Sequence, residues 1–596
     1  MSNYVSALAN KDSISPSPES THDSVTHGSM SKPLRVCIIG AGIGGLFTAM
    51  IFDYLNNKYG LCIDYEILEA NCKERLGGRL YTYYFKNREG HPKIRNHDYI
   101  DMGAMRFPAI DIMKSLMRAF DLFEVLGMKY NNDGNRADGK RQATRKGQLI
   151  PYYLNGINQP TRFNNVQIVT DGNKMPQVAD FKITNLPKEP TQESFSRDRW
   201  RRLTAGEEQN GTDKVWRGLV EEVPDTSFHE YLKQTTQYDS KSIEFLITMN
   251  LGTRRSGQAL SEIVLENFMF DNTARWWCVE GGAQQIAYRM WERLEQSQNV
   301  NFQRKVIAMS FINEARDEID VTVDGQKQSQ RYDAVFNSAP LGSIQRMDLD
   351  GLNLGWDTRQ ALLSANYQSV CKVGVRFRSL WWIHKLGISG GGQGTTDLPI
   401  RCCVYPSYNI HDNPHLPGVL LVSYTFSQDA DRMAQLINQD SPGMERELKA
   451  LILRDLAKLH SPSEAGFRDL HRTISEEYLD HYAWSWGSEP LAGGVALFGP
   501  EQFQTIYPSL IMSNGNHIII GEAASPHHEW VVGALDSAVR GVYQFLRRHS
   551  SSNAAVDCAR EDYERNKIPA PFGPLPAEYN RDEDTRTSDS QSVSGH

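Results

Sequence analysis

The sequence predicts an α/β fold built around a parallel sheet, in which short apolar strands alternate with helices. The first observation is the apolar segment 35–39, which runs into the glycine-rich loop 40–45 and then into a helix. The second is a strand over Ile63–Leu68, which ends at the acidic Glu69. The third is the apolar run 517–522, which precedes a helical stretch over 533–547. Strands that alternate with helices in this way are typical of parallel sheets.

The glycine-rich loop has the chemistry of a dinucleotide-binding turn. Gly40 permits a tight turn, Gly42 lets the backbone approach a pyrophosphate, and Gly45 lets the helix pack closely on the strand. The start of the helix then presents backbone N–H groups to an anion. Glu69 lies where a carboxylate accepts hydrogen bonds from a ribose diol. The residues predicted here to bind a cofactor are Gly40, Gly42, Ile43, Gly44, Gly45, Glu69 and Ala70.

Composition and charge argue against several classes of protein. A chain of 596 residues with 40% hydrophobic residues is long enough for more than one globular domain. The formal net charge of -8, without a basic run that includes aromatic residues, argues against a nucleic-acid surface. The eight cysteines contain no CxxC motif and are predicted to be buried, reduced thiols. Neither a signal peptide nor a membrane span is predicted, which indicates the cytoplasm by default, and no metal site is expected.

Five motifs occur in succession along the chain. They are the glycine loop with Glu69, the triplet Gly77-Gly78-Arg79, the segment 101–108 (Asp-Met-Gly-Ala-Met-Arg-Phe-Pro), Lys372 on a strand, and Gly521-Glu522 followed by Trp530 and Gly533-Ala534. Together, over about residues 34–548, they resemble the flavin-dependent amine oxidase superfamily and, within it, the L-amino-acid oxidases. The resemblance implies an FAD-binding Rossmann-like domain of the glutathione-reductase type, with a mixed α+β substrate domain and a helical insertion domain.

This resemblance also implies how the chain is divided. Residues 1–32 are expected to form a disordered tail, and residues 551–596 a C-terminal extension that is disordered at its end. The FAD-binding domain is expected to be discontinuous, from segments 33–98, 276–366 and 496–550. The substrate-binding domain is expected to combine 99–128 with 367–495, and residues 129–275 to form a helical, loop-rich domain. A homo-oligomer, either a dimer or a dimer of dimers, is expected.

The resemblance assigns cofactor contacts to motifs that lie far apart in the chain. Arg79 is expected to face the pyrophosphate, since a planar guanidinium suits phosphate oxygens. The backbone of Val306 is expected to contact the adenine, and Glu522 the ribityl or phosphate region. The remaining residues expected to contact FAD are Gly103, Ala104, Met105, Arg106, Glu529, Trp530, Val531, Val532, Gly533 and Ala534. Many animal members resemble the last segment except that they carry glycine in place of Glu529, which leaves the preferred substrate side chain open.

Arg106 carries the functional distinction, because a buried guanidinium needs an anionic partner. The resemblance implies that this partner is the carboxylate of an amino-acid substrate, with Tyr424 as a second donor; the alternative is an internal pair with Asp101. Val495 and Trp530 are expected to line the side-chain pocket. Lys372 is the expected catalytic residue, which takes part in the reaction with oxygen. Without the resemblance, the alternating strand around Lys372 predicts a solvent-exposed lysine, and the strand that contains Tyr424 predicts only a half-buried aromatic residue there.

These assignments predict a flavoprotein oxidase that acts on small molecules. An L-amino acid is expected to be oxidised to an imino acid, which water converts to a 2-oxo acid and ammonia, while oxygen is reduced to hydrogen peroxide. The flavin supplies the difficult chemistry and the protein supplies orientation and electrostatics. Two alternatives stay open: an amino-acid 2-monooxygenase that yields an amide, and a flavin-binding protein without turnover.

Overall fold

The computed structural model of the protein describes residues 33–109, 274–437 and 463–549 continuously, with shorter stretches between them. These stretches are 122–124, 126–130, 145–154, 159–163, 166–167, 226–235, 238–249, 257–270 and 441–461. The predicted N-terminal tail, the C-terminal extension and much of the predicted helical domain lie outside the described residues.

The first sheet is parallel and has five strands. Their order across the sheet is Val300–Asn301, Ile63–Leu68, Leu34–Ile39, Ala334–Asn337 and His517–Ile519. All four neighbouring pairs are parallel. Strands from the two ends of the described chain therefore share one sheet, with the first strand at its centre.

Alternate residues of the central strand point into two different apolar cores. Val36 and Ile38 pack with the helices Ile43–Tyr59, Gln284–Arg293 and Val531–His549. Cys37 and Ile39 face the opposite side. That side is covered by an antiparallel sheet of the strands Val306–Phe311, Ile319–Val323 and Gln330–Tyr332. It is also covered by the helices Phe228–Thr235, Leu260–Met269, Trp356–Ser364 and Tyr507–Ile511. Both faces are buried, which explains why the strand reads as a continuous apolar run.

The residue types over 301–306 also predict a single strand from Asn301 to Val306, and this prediction is wrong. The sheet strand ends at Asn301, and a separate antiparallel strand begins at Val306. Between them Gln303 adopts a left-handed backbone with a φ of 56°, a conformation that interrupts a strand. This turn carries the chain from the parallel sheet to the antiparallel one.

A second, mixed sheet has seven strands. Their order is Tyr478–Ser485, Val370–Phe377, Gly418–Phe426, Cys402–Tyr405, Gly392–Thr396, Thr161–Phe163 and Val166–Gln167. Every pair is antiparallel except that of Gly392–Thr396 with Thr161–Phe163. The helices Ser427–Ala434, Pro442–His460 and Glu464–Glu477 pack against the core of this sheet.

Shorter strands and helices lie outside the two large sheets. They are Thr82–Tyr84 with Tyr99–Asp101, Phe107–Pro108 and Leu149–Tyr152 on either side of Trp276–Val279, Tyr367–Gln368 with Val495–Ala496, and the helices Ser240–Met249, Leu341–Ile344, Trp381–His384 and Gln502–Thr505. Of the seven described cysteines, five are buried, and all seven are free thiols. Within the described part of the chain, no helix is long and apolar enough to cross a membrane, and no cluster of ligating side chains is arranged to hold a metal ion.

His97 bridges two carboxylates that come from separate segments. Its Nδ1 lies 2.8 Å from Asp412 and its Nε2 lies 3.0 Å from Glu280. Burial opposes the charge of the imidazole, but the hydrogen bonds to these carboxylates raise the pKa of His97 to about 9. A raised pKa means that the folded state binds the proton more tightly than the unfolded chain does.

We therefore predict an alkaline loss of stability that depends on His97. The stabilisation is complete below the unfolded pKa of about 6.5 and is lost as the pH rises towards 9, by about 2 to 3 kcal/mol. In His97→Gln, the midpoint of thermal unfolding is expected to fall less between pH 6.5 and 9 than in the wild type. The exposed His415→Gln serves as the control; equal pH dependence in wild type and His97→Gln would contradict the prediction.

Candidate active site

A cavity of about 540 Å³ is lined by the ends of the parallel strands and by the seven-stranded sheet. Most of the residues predicted to form a site line it. They are Gly40, Gly42, Ile43, Gly44, Glu69, Ala70, Arg79, Gly103, Ala104, Met105, Arg106, Val306, Lys372, Tyr424, Val495, Glu522, Glu529, Trp530, Val531 and Ala534. Segments that are far apart in the chain thus meet around a single cavity.

Three of the predicted residues do not line this cavity. A Cβ atom on Gly45 would lie 2.1 Å from the carbonyl oxygen of Gly40, so this glycine packs the helix against its own loop. Val532 is fully buried in the core beneath the parallel sheet. A Cβ atom on Gly533 would lie 2.2 Å from the carbonyl oxygen of His527. These residues shape the surrounding loops rather than the cavity surface.

The glycine loop opens towards the cavity at Gly42. A Cβ atom there would have no neighbour within 4 Å, although the residue lines the cavity. The helix that begins at Ile43 has no side-chain cap, so its first N–H groups are available to a ligand. Gly40 has a φ of 95°, which L-residues rarely adopt. The loop is a cradle that suits a phosphate group.

We predict opposite phenotypes for two alanine substitutions in this loop. Gly45→Ala is expected to lower the stability of the apoprotein by about 1 to 3 kcal/mol, because the new methyl group overlaps Gly40. Gly42→Ala is expected to change apoprotein stability by less than about 1 kcal/mol, since its φ of -73° is unstrained, but to weaken FAD binding. Thermal unfolding of the apoproteins and FAD titration by fluorescence measure the two effects. Wild-type FAD affinity in Gly42→Ala would contradict this prediction.

Glu69 lies at the end of the second strand and is 7% exposed. Its Oε2 accepts a hydrogen bond from the Ala41 N–H, and its Oε1 accepts one from the Asn71 N–H, each at 2.7 Å. The carboxylate therefore ties the glycine loop to the strand end. Each carboxylate oxygen can accept a further hydrogen bond, so this geometry is compatible with the predicted ribose contact. Val306 also lines the cavity.

Arg79 and Glu522 form an ion pair within the cavity wall, with 2.6 Å between Arg79 Nη2 and Glu522 Oε2. The other oxygen of Glu522 accepts the Ala496 N–H at 2.8 Å. Burial works against ionisation of Glu522, but Arg79 holds the pKa of this carboxyl below its ordinary value. A charged pair thus joins two segments that are both predicted to contact the cofactor.

Lys372 is 1% exposed, so it is not a lysine on a solvated strand face. Its Nζ donates hydrogen bonds to the carbonyl oxygens of Asp101 at 3.1 Å and Gly103 at 2.6 Å. It also lies 4.7 Å from the ring centroid of Tyr424. Burial lowers the pKa of Lys372, although the nearby Asp101 carboxylate opposes this shift. An ammonium group whose proton is easily lost therefore lies at the cavity surface.

Arg106 lines the cavity without a carboxylate partner among the described residues. Its Nη1 is buried and has no hydrogen-bond partner. The guanidinium lies over two aromatic rings, with its Cζ 5.0 Å from the centroid of Phe270 and 5.8 Å from that of Trp276. Asp101, the alternative internal partner, instead accepts hydrogen bonds from Thr82 Oγ1 and the Ala283 N–H. A buried donor of this kind suits an anionic ligand.

Aromatic residues surround this part of the cavity. The ring of Trp530 lies 5.6 Å from that of Phe270 and 6.3 Å from that of Trp276. Tyr424 packs against Phe426 at 4.5 Å. The low-dielectric wall that these rings form strengthens electrostatic interactions with a bound ligand.

Several cavity residues were not predicted from the sequence. They include Glu266, Phe270, Gln393, Thr395, Cys402 and Trp486, together with the cationic Arg304, Lys305 and Arg346. The apolar spacing over 228–268, which includes Glu266, predicts helices. Spacing alone does not reveal which polar residue of a helix faces a cavity. Gln393 and Thr395 lie on a strand that pairs with Cys402–Tyr405, and no local motif marks them.

The cavity fits an extended dinucleotide with a flavin ring. A glycine cradle and two helix N-termini, at Ile43 and Val531, line it. A Cβ atom placed on Gly44 would lie 3.4 Å from the carbonyl oxygen of Ala534, so the two helix starts are neighbours. The fold and the site together define the class of FAD-dependent amine oxidases. The family model for flavin-containing amine oxidoreductases matches residues 54–544, and the chain belongs to this family. The predicted fold class, family and cofactor FAD are thereby confirmed.

Individual relatives are similar to different degrees. The chain is 32% identical over 542 residues to a protein of Dictyostelium discoideum whose name describes a bifunctional amine oxidase; the match covers 87% of this chain and 46% of that protein. It is 30% identical over 555 residues to L-amino-acid oxidase 4 of Hebeloma cylindrosporum, with coverage of 86% and 82%. A solved putrescine oxidase structure has a TM-score of 0.62 at 20% identity, with coverage of 87% and 100%. This last likeness concerns the fold alone.

Proposed function

We propose that the protein oxidises L-amino acids to 2-oxo acids, with release of ammonia and hydrogen peroxide. The observation that carries this proposal is Arg106, whose buried Nη1 lacks a hydrogen-bond partner in a cavity that suits FAD. A simple amine offers no anion to this guanidinium, whereas an amino acid offers its carboxylate. The L-amino-acid oxidases among the relatives support the same substrate class.

In this proposal, Arg106 and Tyr424 bind the substrate carboxylate. The faces of Phe270 and Trp276 hold the guanidinium in place, so that little side-chain freedom is lost on binding. Trp530 and Val495 bound the space that remains for the substrate side chain. Fixing the carboxylate orients the Cα–H bond of the substrate.

Lys372 carries the proton at the reaction centre. Its Nζ is held by the carbonyl oxygens of Asp101 and Gly103, which belong to the same segment 101–108 as Ala104 and Arg106. A bound FAD would supply the redox chemistry, the two-electron transfer from the substrate to oxygen. A positive charge on Lys372 stabilises the negative charge that oxygen gains, and water completes the reaction by hydrolysing the imino acid.

Anaerobic mixing of the FAD-loaded protein with ligand panels tests this proposal. L-Amino acids are expected to bleach the flavin absorbance, while putrescine and cyclohexylamine are not. Bleaching by the simple amines alone would refute the amino-acid assignment, and an unchanged spectrum across both panels would favour a protein without turnover. Mass analysis of the aerobic product separates a 2-oxo acid from the amide that a 2-monooxygenase would produce.

A further inference from the structure

The helix Leu260–Met269 presents a carboxylate to the cavity from a firmly held position. Glu262, Glu266 and Phe270 are spaced four residues apart, so they lie on one side of this helix and its C-terminal extension. The carboxylate of Glu262 lies 2.8 Å from His528 Nδ1. It also accepts the Phe498 N–H at 2.9 Å. The side chains of both Glu262 and His528 are at most 3% exposed, so this ion pair anchors the start of the helix.

The other end of the same side is anchored as well. The ring of Phe270 lies 5.6 Å from that of Trp530 and 5.0 Å from the guanidinium of Arg106. His528 and Trp530 belong to one short loop, so the helix side follows this loop from Glu262 to Phe270. Glu266 lies between these two contacts and lines the cavity. Its carboxylate is therefore placed near the end of the cavity that contains Arg106.

We propose that Glu266 determines substrate specificity by favouring L-amino acids with a cationic side chain over those with an acidic one. This inference rests on the proposed function. Arg106, with its buried and unpartnered Nη1, fixes the end of the cavity to which the substrate carboxylate binds. The substrate side chain then extends among the other residues that line the cavity, of which Gln393 and Thr395 are polar and neutral. Glu266 is the carboxylate that the helix Leu260–Met269 adds to this lining.

The physical basis is the sign of the charge in a partly desolvated space. A carboxylate beside aromatic rings attracts an ammonium or guanidinium group more strongly than it would in water. It repels a substrate carboxylate for the same reason, whereas a neutral side chain of similar length is affected little. Lysine and arginine side chains are therefore the favoured class, and glutamate the disfavoured one.

Glu266→Gln tests this proposal because the substitution removes the charge and keeps the shape. With the FAD-loaded protein, anaerobic stopped-flow measurements give the dissociation constant and the limiting rate of flavin bleaching for L-lysine, L-arginine, L-methionine and L-glutamate. For lysine and arginine, the variant is expected to raise the dissociation constant at least about tenfold, with the limiting rate within about threefold. The constant for methionine is expected to change little, and that for glutamate to fall. Glu266→Lys is expected to reverse the order of lysine and glutamate.

The matched control is Glu244→Gln, an exposed carboxylate on the helix Ser240–Met249. Flavin content and thermal unfolding establish that each variant is folded. The proposal is overturned if Glu266→Gln weakens all four substrates equally, which would place Glu266 at the α-amino group, or if the ratio of lysine to glutamate is unchanged. If the ratio is unchanged in Glu266→Gln while the wild type oxidises neutral amino acids, only the role of Glu266 is refuted and the proposed function stands. If the wild type oxidises no amino acid, both proposals are refuted.

Discussion

Arg106→Leu is expected to lower kcat/KM for L-amino acids by a factor that corresponds to about 2 to 5 kcal/mol of transition-state binding. The variant loses the only guanidinium that lies over both Phe270 and Trp276 among the described residues, and the substrate carboxylate is left unpaired in a desolvated site. Leucine packs well against these rings, so the protein is expected to fold and to bind FAD. Steady-state kinetics and the flavin absorbance measure the two properties.

Two variants make this result specific to the guanidinium. Arg106→Lys retains the positive charge but loses the planar fork, so an intermediate loss is expected. Arg432→Leu removes an arginine whose side chain is 63% exposed and is expected to leave kcat/KM unchanged. A wild-type kcat/KM in Arg106→Leu would refute carboxylate recognition by this residue. Simultaneous loss of FAD would instead show that Arg106 is required for the cofactor.

Lys372→Met is expected to slow the reaction with oxygen by about 100-fold or more. Methionine fills the buried position without a charge, so the cation that stabilises electron transfer to oxygen is lost. Reduction of the flavin by substrate under anaerobic conditions is expected to change by less than about tenfold. Stopped-flow mixing of the reduced protein with oxygen measures the first rate, and the exposed Lys385→Met is the control.

The pH dependence of this oxygen reaction gives an independent test. Because burial lowers the pKa of Lys372, the charged form is present at low pH and is lost as the pH rises through this lowered value. The wild-type rate is expected to fall over that range, and the rate of Lys372→Met to be independent of it. A decline of the same size in both proteins would assign the titration to another group.

Local sequence was sufficient to predict the cofactor fold. The glycine loop, the strand before it and the helix after it are adjacent in the chain, and their conformations follow from glycine geometry and apolar patterning. The same holds for the strand that ends at Glu69. In contrast, Asn301–Val306 reads as one strand because apolar patterning does not mark the left-handed turn at Gln303.

Side-chain environments could not be predicted in the same way. The alternation around Lys372 predicts an exposed polar face, but its strand lies between Gly418–Phe426 and Tyr478–Ser485 and is buried throughout. Proximity in sequence could not decide whether Arg106 pairs with Asp101. In the folded protein, Thr82 Oγ1 and the Ala283 N–H donate hydrogen bonds to the Asp101 carboxylate instead. Glu266 could be placed on a helix but not in the cavity.

The sequence by itself determined the α/β class, the family and the flavin cofactor, because motifs of short range encode them. Only the tertiary structure decided that Lys372 is buried, that Arg106 lacks an internal carboxylate among the described residues, and that Glu266 reaches the cavity. Each of these outcomes depends on which distant segments pack together, and therefore on dielectric environment and on competition for hydrogen bonds. Neither quantity is a property of neighbouring residues in the chain.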